Sequence, residues 1–174
     1  MIRFRLGCRK DKRDDRDYLM RAYLPYLKIP KKVDYTSKMT PVRNQGDEGT
    51  CVGFASVVGM KEYQEKQDYR RTLELSPRFV YNECKKLDGY PDEEGTEIRI
   101  AMKVLKNLGV CREELWKYEP HDANGPDAPA GKIKSDALKN RVKSYARILD
   151  LDELRMALAQ KGPCVIGISC FSGI

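Results

Sequence analysis

The sequence predicts an α+β fold in which helices come first and strands follow. Three observations support this order. Apolar residues recur at helical spacing over residues 51–67, residues 141–149 alternate as a strand does, and residues 164–169 form a short apolar run. We therefore expect a helical lobe at residues 41–120 and, at residues 121–174, a crossing loop followed by the start of a sheet lobe. A cleft between two such lobes is a common ligand site.

The first forty residues are rich in charge and are interrupted by tyrosines and prolines. Pro30 prevents a continuous helix there, so we expect an extended arm with at most one short helical piece. A solvated tail is the simpler interpretation of this composition. The alternative is an N-terminal extension, residues 1–40, that packs along the body or covers a cleft as a short pro-region.

Three helices are predicted in the helical lobe, and each has a recognisable beginning or end. The first, at residues 51–67, carries apolar side chains on more than one side near its start, which indicates burial in the middle of a domain. Ser76 followed by Pro77 is a typical helix start, with the serine as the N-cap. The third helix is expected to begin at Thr96 and to end at Gly109.

Beyond the third helix the sequence becomes rich in turn-forming residues. Prolines and glycines at residues 117–135 predict a loop that passes between the two lobes. Asp152 is expected to cap a helix over residues 153–160, and Gly162 with Pro163 is expected to end that helix.

The composition argues against several kinds of partner. Hydrophobic residues make up 41% of the 174 residues and charged residues 34%. No apolar run approaches the ~20 residues of a membrane span. The net charge of +7 comes from bases interleaved with acids, without the aromatic-rich basic strip typical of nucleic-acid binding. We therefore expect neither a membrane nor a nucleic acid as a partner.

Cysteine and histidine usage bears on metals and on the compartment. The six cysteines show no CxxC spacing and the only histidine is His121, so neither a metal site nor any other cofactor is predicted. No secretory signal is visible, which favours a reducing, cytoplasmic compartment with free thiols. Cys111 and Cys164 lie in apolar contexts and are interpreted as core residues.

The strongest chemical signal lies at residues 45–51. Cys51 stands where a polar loop enters the first helix, and the positive end of a helix dipole at that point favours a thiolate. Gln45, on the same loop, can direct an amide N–H towards the same place. A nucleophile beside a donor for a developing oxyanion is the core of an acyl-transfer site.

This stretch and several later ones resemble the papain-like cysteine peptidases, over residues 10–174. The run Gln45-x-x-x-Gly49-x-Cys51-x-x-x-Ala55 is similar to the active-site segment of that family. Further similarities follow in chain order: Leu75 and Ser76 before the second helix, Glu94, Gly95 and Thr96 at the substrate-binding loop, Trp116 to Glu119 near the end of the helical lobe, and Gly162 to Ile166 at the opening of the sheet lobe.

The resemblance implies a papain-like two-lobe fold and roles for five residues. Cys51 would be the nucleophile and Gln45 the oxyanion-hole side chain, helped by the backbone N–H of Cys51. Gly95, with Thr96 beside it, would pair its backbone with an extended substrate, and Gly167 would line the adjacent pocket. The implied activity is hydrolysis of peptide or protein substrates through an acyl-enzyme on Cys51.

Two positions depart from the family pattern. The family has a cysteine three residues before the nucleophile and an aromatic residue after it, where this chain has Glu48 and Val52. Glu48 removes the usual disulfide partner, which agrees with a reducing compartment. Val52 removes an aromatic neighbour but no catalytic group.

The catalytic base is a further departure. The family's histidine and orienting asparagine are expected about 130–150 residues after the nucleophile, and these 174 residues contain neither at that distance. His121 is interpreted as an exposed loop residue instead. We therefore expect the N-terminal part of a catalytic domain, with the helical lobe complete and the sheet lobe only begun. Such a part is expected to be inactive alone and open to completion by a second chain.

Two other hypotheses for the function stay open. The second is a pseudo-peptidase that acts as a protein-binding module, and the third is an unrelated α+β domain with a structural cysteine.

Overall fold

The computed structural model describes residues 6–25, 28–122 and 124–169. The regular elements within these residues are, in chain order, β1 (Cys8–Arg9), α1 (Cys51–Phe54), a π-helix (Ala55–Lys61), α2 (Glu62–Asp68), α3 (Pro77–Lys85), β2 (Thr96–Glu97), α4 (Ile98–Asn107), α5 (Ala130–Ala137) and α6 (Leu151–Lys161). Short 3-10 turns lie at Met20–Tyr23, Thr36–Lys38, Glu113–Leu115, Pro120–Asp122 and Leu138–Asn140. The content is helix-rich with one small open sheet, as expected of the α+β prediction.

The first predicted helix is confirmed and lies at the centre of the fold. The elements α1, the π-helix and α2 follow one another without a break, and we call residues 51–68 the central helix. Its middle seven residues are wound more widely than an α-helix, so that the N–H of Glu62 donates to the carbonyl of Val57, five residues back. Gly53 lets α3 approach closely, since a Cβ there would lie 3.0 Å from the carbonyl oxygen of Pro77.

The second and third helices also follow the sequence signals, with one shift. The Ser76 hydroxyl accepts a hydrogen bond from the Phe79 N–H at 3.0 Å and caps α3 as predicted. Helix α4 begins at Ile98, two residues later than expected, because Thr96 is used as a strand in β2. Gly109 has a φ of +80° and ends α4 as predicted.

The hydrophobic core lies where the central helix, α3, α4 and α5 meet. Its buried members are Val52, Val57, Leu75, Phe79, Val80, Cys84, Ala101, Met102, Val104, Leu105, Val110, Cys111, Leu115, Ile133, Ala137 and Val142. Cys111 is fully buried, as predicted, whereas Cys164 is only half-buried and packs outside this cluster.

The predictions for the last third of the chain need several corrections. The expected loop at residues 117–135 contains the start of α5, which buries Ile133 and Ala137 at the four-residue spacing of a helix face. Helix α6 exists as predicted, but its cap is Asp150, whose carboxylate accepts from the Glu153 N–H at 2.8 Å, and not Asp152.

The two strands predicted for this part are wrong. Residues 141–149 form no strand and make only an isolated bridge between Arg147 and Leu19. Residues 164–169 have no regular secondary structure, and Ile166 and Ile168 are 56% and 74% exposed. A strand needs a neighbour to satisfy its backbone groups, and residues 141–149 have one only at Arg147, whose backbone bonds Tyr18 and Met20. Within the described residues, 164–169 pair with no strand. The division of the chain at residues 40 and 120 stays a prediction.

The N-terminal arm packs against the body over much of its described length. Arg99 in α4 binds Asp17 at 2.8 Å and also pairs with Asp14. The Tyr35 hydroxyl donates to the carbonyl of Leu158 at 2.6 Å. β1 is parallel to β2, with Cys8 opposite Thr96 and the next residues opposite each other. These contacts favour the packed extension over a solvated tail.

Within the described residues, every helix is too short or too polar to traverse a lipid bilayer.

Candidate active site

Cys51 lies at the predicted junction of loop and helix. It is the first residue of α1, and its thiol is free and half-buried. The loop before it ends in a tight turn in which the Thr50 N–H donates to the carbonyl of Glu48 at 2.8 Å. The carbonyl of Thr50 then accepts from the Phe54 N–H at 3.2 Å, which starts the central helix. The thiol is therefore held on a fixed element and not on a free loop.

Gln45 is anchored within the same turn. Its side-chain amide donates to the carbonyl of Glu48 at 2.9 Å, which uses one of its two N–H groups. No hydrogen bond joins Gln45 to Cys51 in the described part of the chain. The oxyanion role of Gln45 therefore stays a prediction, for which its second N–H is the available donor.

A buried ion pair holds residues 45–51 to α3. We call these residues the nucleophile loop, after the predicted nucleophile Cys51. The Arg78 guanidinium binds both carboxylate oxygens of Glu48, with Nη1 at 3.0 Å from Oε1 and Nη2 paired with Oε2. Both side chains are almost completely buried, and the backbone N–H of His121 donates to Glu48 Oε2 at 2.7 Å. Glu48 stands where the family has a disulfide cysteine, so in this chain an electrostatic link to α3 anchors the loop.

Tyr118 adds a second anchor to the same loop. Its hydroxyl donates to the carbonyl of Gln45 at 2.6 Å and lies 2.8 Å from the hydroxyl of Thr50. The Arg78 guanidinium lies 4.8 Å from the centre of the Tyr118 ring, and the Phe54 ring meets it edge-on. The two ends of the nucleophile loop are thus tied to one aromatic side chain.

The environment of Glu48 predicts a dependence of stability on acid. Burial alone would raise the pKa of the Glu48 carboxyl, but the hydrogen bonds from Arg78 and from the His121 N–H outweigh it and hold the pKa below its usual range. A carboxyl with a lower pKa in the folded state stabilises the fold at higher pH, and this contribution is lost as the pH falls through the folded value.

We therefore expect the free energy of unfolding of the wild type to fall steeply below about pH 4, where a normal glutamate begins to take up protons. The variant Glu48→Gln, already less stable at pH 7, should lose less of its remaining stability over the same range. Urea unfolding at pH 6 and pH 3 measures both slopes. Glu114→Gln, on an exposed side chain, is the control and should follow the wild type. Equal slopes for the Glu48 and Glu114 variants would contradict the assignment.

The predicted substrate-binding loop is occupied by the chain's own N-terminal arm. The N–H of Thr96 donates to the carbonyl of Gly7 at 2.9 Å, and β1 continues from there along β2. The backbone of Gly95 is engaged otherwise, because its N–H donates to the Tyr81 hydroxyl and its carbonyl accepts from Lys85, both at 3.0 Å. Strand addition at this edge therefore begins at Thr96, one residue beyond the position expected from the sequence.

Three glycines allow the arm to enter. Gly7 lies between Gly49 on the nucleophile loop and Gly95 on the opposite loop. A Cβ on Gly7 would lie 1.8 Å from the carbonyl oxygen of Gly49, and one on Gly95 would lie 2.6 Å from the carbonyl oxygen of Gly7. Gly95 also has a φ of +87°, which favours glycine. The arm thus crosses at van der Waals distance from the residues that precede Cys51.

Gly167 lies next to Cys8. A Cβ on Gly167 would be 3.0 Å from the Cys8 sulfur, and both residues line a cavity of about 850 Å³. The wall of this cavity includes the apolar side chains of Met60, Ile98 and Met102. The structure therefore brings Gly95, Thr96 and Gly167 together around residues 7–9, next to the loop that carries Gln45 and Cys51. Their roles towards a substrate stay predictions.

The single histidine is placed as an exposed loop residue, in agreement with the sequence interpretation. The His121 side chain is 53% exposed, and its Nε2 lies 3.3 Å from Asp47 Oδ1. Across the described ranges, no three side chains of the types that hold metal ions come together.

Three residues of this site were not predicted from the sequence. Arg78 and Tyr118 are 27 and 67 residues beyond Cys51, and nothing in their local sequence links them to it. Cys8 is the third, and the glycine before it in an otherwise charged segment was the one available signal.

Comparison with known proteins agrees with the site. The model of the papain family cysteine protease matches residues 29–173. Xylellain, a cysteine protease from Xylella fastidiosa, has a similar structure, with a TM-score of 0.72 and 28% identity over 90% of this chain and 63% of its own. Cathepsin K of Gallus gallus is 31% identical over 81% of this chain and 41% of its own length. An uncharacterized peptidase C1-like protein of Acanthamoeba polyphaga mimivirus is 33% identical over 74% of this chain and 44% of its own length.

The chain thus spans less than half the length of these curated relatives. The family match nevertheless covers most of the present sequence, including residues 45–51, the central helix and the predicted substrate-binding loop. The α+β fold and the resemblance seen in the sequence are confirmed, and the chain belongs to the papain family of cysteine proteases.

Proposed function

We propose that this chain carries the nucleophile half of a cysteine peptidase that hydrolyses peptide bonds in peptide or protein substrates. Cys51 would attack the scissile carbonyl and form the acyl-enzyme. Gln45 and the backbone N–H of Cys51 would donate to the oxyanion. The observation that carries the proposal is the placement of Cys51 at the start of a buried helix, on a loop fixed by Glu48 and Tyr118.

The base must come from elsewhere under this proposal. The only histidine of the sequence, His121, contacts Asp47. The 174 residues contain no second imidazole that could take the proton of the thiol. We propose that the histidine and its orienting partner are supplied by further residues of a longer protein or by a second chain. The exposed Ile166 and Ile168 lie in a segment that belongs to no strand of the described residues, and such residues could pair with it.

The N-terminal arm is proposed to act as a pro-region. It occupies the backbone edge at Thr96 that a substrate would use, and it contacts Gly49 on the nucleophile loop. A peptide cannot add to this edge until residues 7–9 leave it. The acidic residues of the arm that bind Arg99 hold the segment in place.

The test uses iodoacetamide and 4-nitrophenyl acetate on the 174-residue chain at pH 7. We expect peptide mapping to show Cys51 alkylated faster than Cys8 and Cys164, since burial raises the pKa of both of these thiols. Cys84 and Cys111 should react more slowly still, because deep burial raises their pKa further. Alkylation of Cys51 at the rate of Cys164 would contradict an activated thiol.

Gln45→Ala separates the two roles in the same experiment. Alkylation builds no oxyanion, so its rate at Cys51 should be unchanged. Nitrophenolate leaves without protonation by a histidine, so this activated ester can acylate Cys51 even where a peptide cannot. Its release still passes through an oxyanion, and we expect Gln45→Ala to slow it by about 10²–10³-fold. Cys51→Ser gives the background rate. Equal effects of Gln45→Ala on both reactions would indicate loss of structure and would exclude the oxyanion role.

A non-catalytic peptide-binding module is the second candidate, favoured by the contact of the only histidine with Asp47. It predicts that Cys51→Ser leaves binding of an extended peptide intact, and that addition of the missing residues gives no hydrolysis.

A further inference from the structure

The N-terminal arm places a second thiol beside the nucleophile. Gly7 is in contact with Gly49, one residue before Cys8 on one side and two residues before Cys51 on the other. Pairing of Cys8 with Thr96 fixes the direction of the arm at this point. Burial raises the pKa of Cys8, and a negative charge on Cys51 would raise it further.

The neighbouring side chains restrict where the Cys8 thiol can turn. The Arg9 side chain lies on the opposite face of β1, where it binds Glu93 at 2.7 Å and stacks over Tyr90. Successive residues of a strand point to opposite faces, so Cys8 faces away from Glu93. On that face its sulfur lies against Gly167.

We propose that Cys8 and Cys51 form a reversible disulfide that closes the cleft covalently under oxidising conditions. The inference rests on the proposed function, because Cys51 must be the reactive thiol and residues 7–9 must occupy its cleft. A disulfide needs Cα atoms within about 7 Å of each other, and the Gly7–Gly49 contact brings the two backbones together within two residues of both thiols.

The order of the two steps follows from the two environments. With oxidised glutathione as the oxidant, the Cys51 thiolate attacks one sulfur, the glutathione disulfide breaks, and one glutathione thiolate leaves. Cys8 then attacks the Cys51 sulfur, and the second glutathione leaves. Two protein thiols are oxidised and one disulfide is reduced to two thiols. Burial, together with the charges of Cys51 and Asp11, raises the pKa of Cys8, so it acts second, as the resolving thiol.

The link has a functional consequence that an arm held only by hydrogen bonds lacks. A covalent bond to Cys51 both blocks the nucleophile and keeps residues 7–9 on β2. A thiol reductant would release both at once, so the reducing state of the surroundings would control access to the cleft.

The experiment treats the 174-residue chain with oxidised glutathione, traps free thiols with iodoacetamide and maps peptides without reduction. We expect one intramolecular link, Cys8 to Cys51, with loss of Cys51 alkylation that dithiothreitol restores. Cys8→Ser should instead accumulate glutathione on Cys51. Cys164→Ser, which alters another thiol lining the same cavity, should leave the link unchanged.

A further variant keeps both thiols and disrupts only the close contact between Gly7 and Gly49. Gly7→Val places side-chain atoms where the Gly49 carbonyl lies, so it should abolish the link while glutathione still reaches Cys51. Gly131→Val, at a site with open space, should form the link as the wild type does.

Accumulation of Cys51-bound glutathione in the wild type, or a link from Cys51 to any other cysteine, would overturn the proposal. If nitrophenol release depends on Cys51 and Gln45 but no link forms, only this inference fails; if the link forms without such release, only the proposed function fails.

Discussion

Arg78→Met is expected to lower the free energy of unfolding by about 3–5 kcal/mol, because it leaves the Glu48 carboxylate buried without its partner. Methionine fills much of the same volume, so the loss reflects the charge more than a cavity. The loop that carries Cys51 loses its link to α3 at the same time. Urea unfolding at pH 7 measures the stability, and the rate of nitrophenol release measures the effect on the loop.

Two further variants define what the Arg78 result means. Arg155→Met removes an exposed pair with Asp152 and should cost less than about 1 kcal/mol. The double variant Glu48→Leu with Arg78→Met replaces both charges by apolar groups and should regain much of the lost stability. If Arg78→Met costs no more than Arg155→Met, the pair does not anchor the loop.

Gly109→Ala is expected to cost about 2–5 kcal/mol, as the sum of backbone strain and steric overlap. Gly109 has a φ of +80°, and a Cβ there would lie 1.9 Å from the carbonyl oxygen of Ala137. The clash involves backbone on both sides, so neither α4 nor α5 can relieve it by turning a side chain. Thermal unfolding with calorimetry measures the loss.

Gly131→Ala is the matched control for this prediction. Gly131 lies in the first turn of α5 with nothing near its Cβ position, so alanine there should be neutral or stabilising by up to about 1 kcal/mol. Similar changes for both variants would show that the close contact between α4 and α5 is not rigid.

Local signals predicted the elements whose ends are set by their own residues. Ser76 and Gly109 act through backbone groups within a few positions, so their effects were visible in the sequence. The strands expected at residues 141–149 and 164–169 failed because pairing depends on a neighbour distant in the chain. Helix α5 was hidden by the prolines and glycines that precede it.

In the site, too, local residues were predicted and residues brought together by the fold were not. Cys51 and Gln45 were found because they share one loop at a characteristic spacing. Glu48 was noticed only as a missing cysteine, since its partner Arg78 lies thirty residues away and only the fold brings the two together. The entry of Cys8 into the cleft depends on three glycines from separate segments, and no local pattern contains that information.

The π-helical segment Ala55–Lys61 fixes the distance and the rotation between Cys51 and Glu62 along the central helix. An α-helix turns by about 100° per residue, and a π-helix turns by less, so these seven residues set the angle between Cys51 and Glu62. Glu62 accepts from the Leu75 N–H and pairs with Arg43, which precedes the nucleophile loop. Deleting one residue from the segment would turn Glu62 away from both partners. The spacing between nucleophile and Glu62 should therefore tolerate substitutions far better than changes of length.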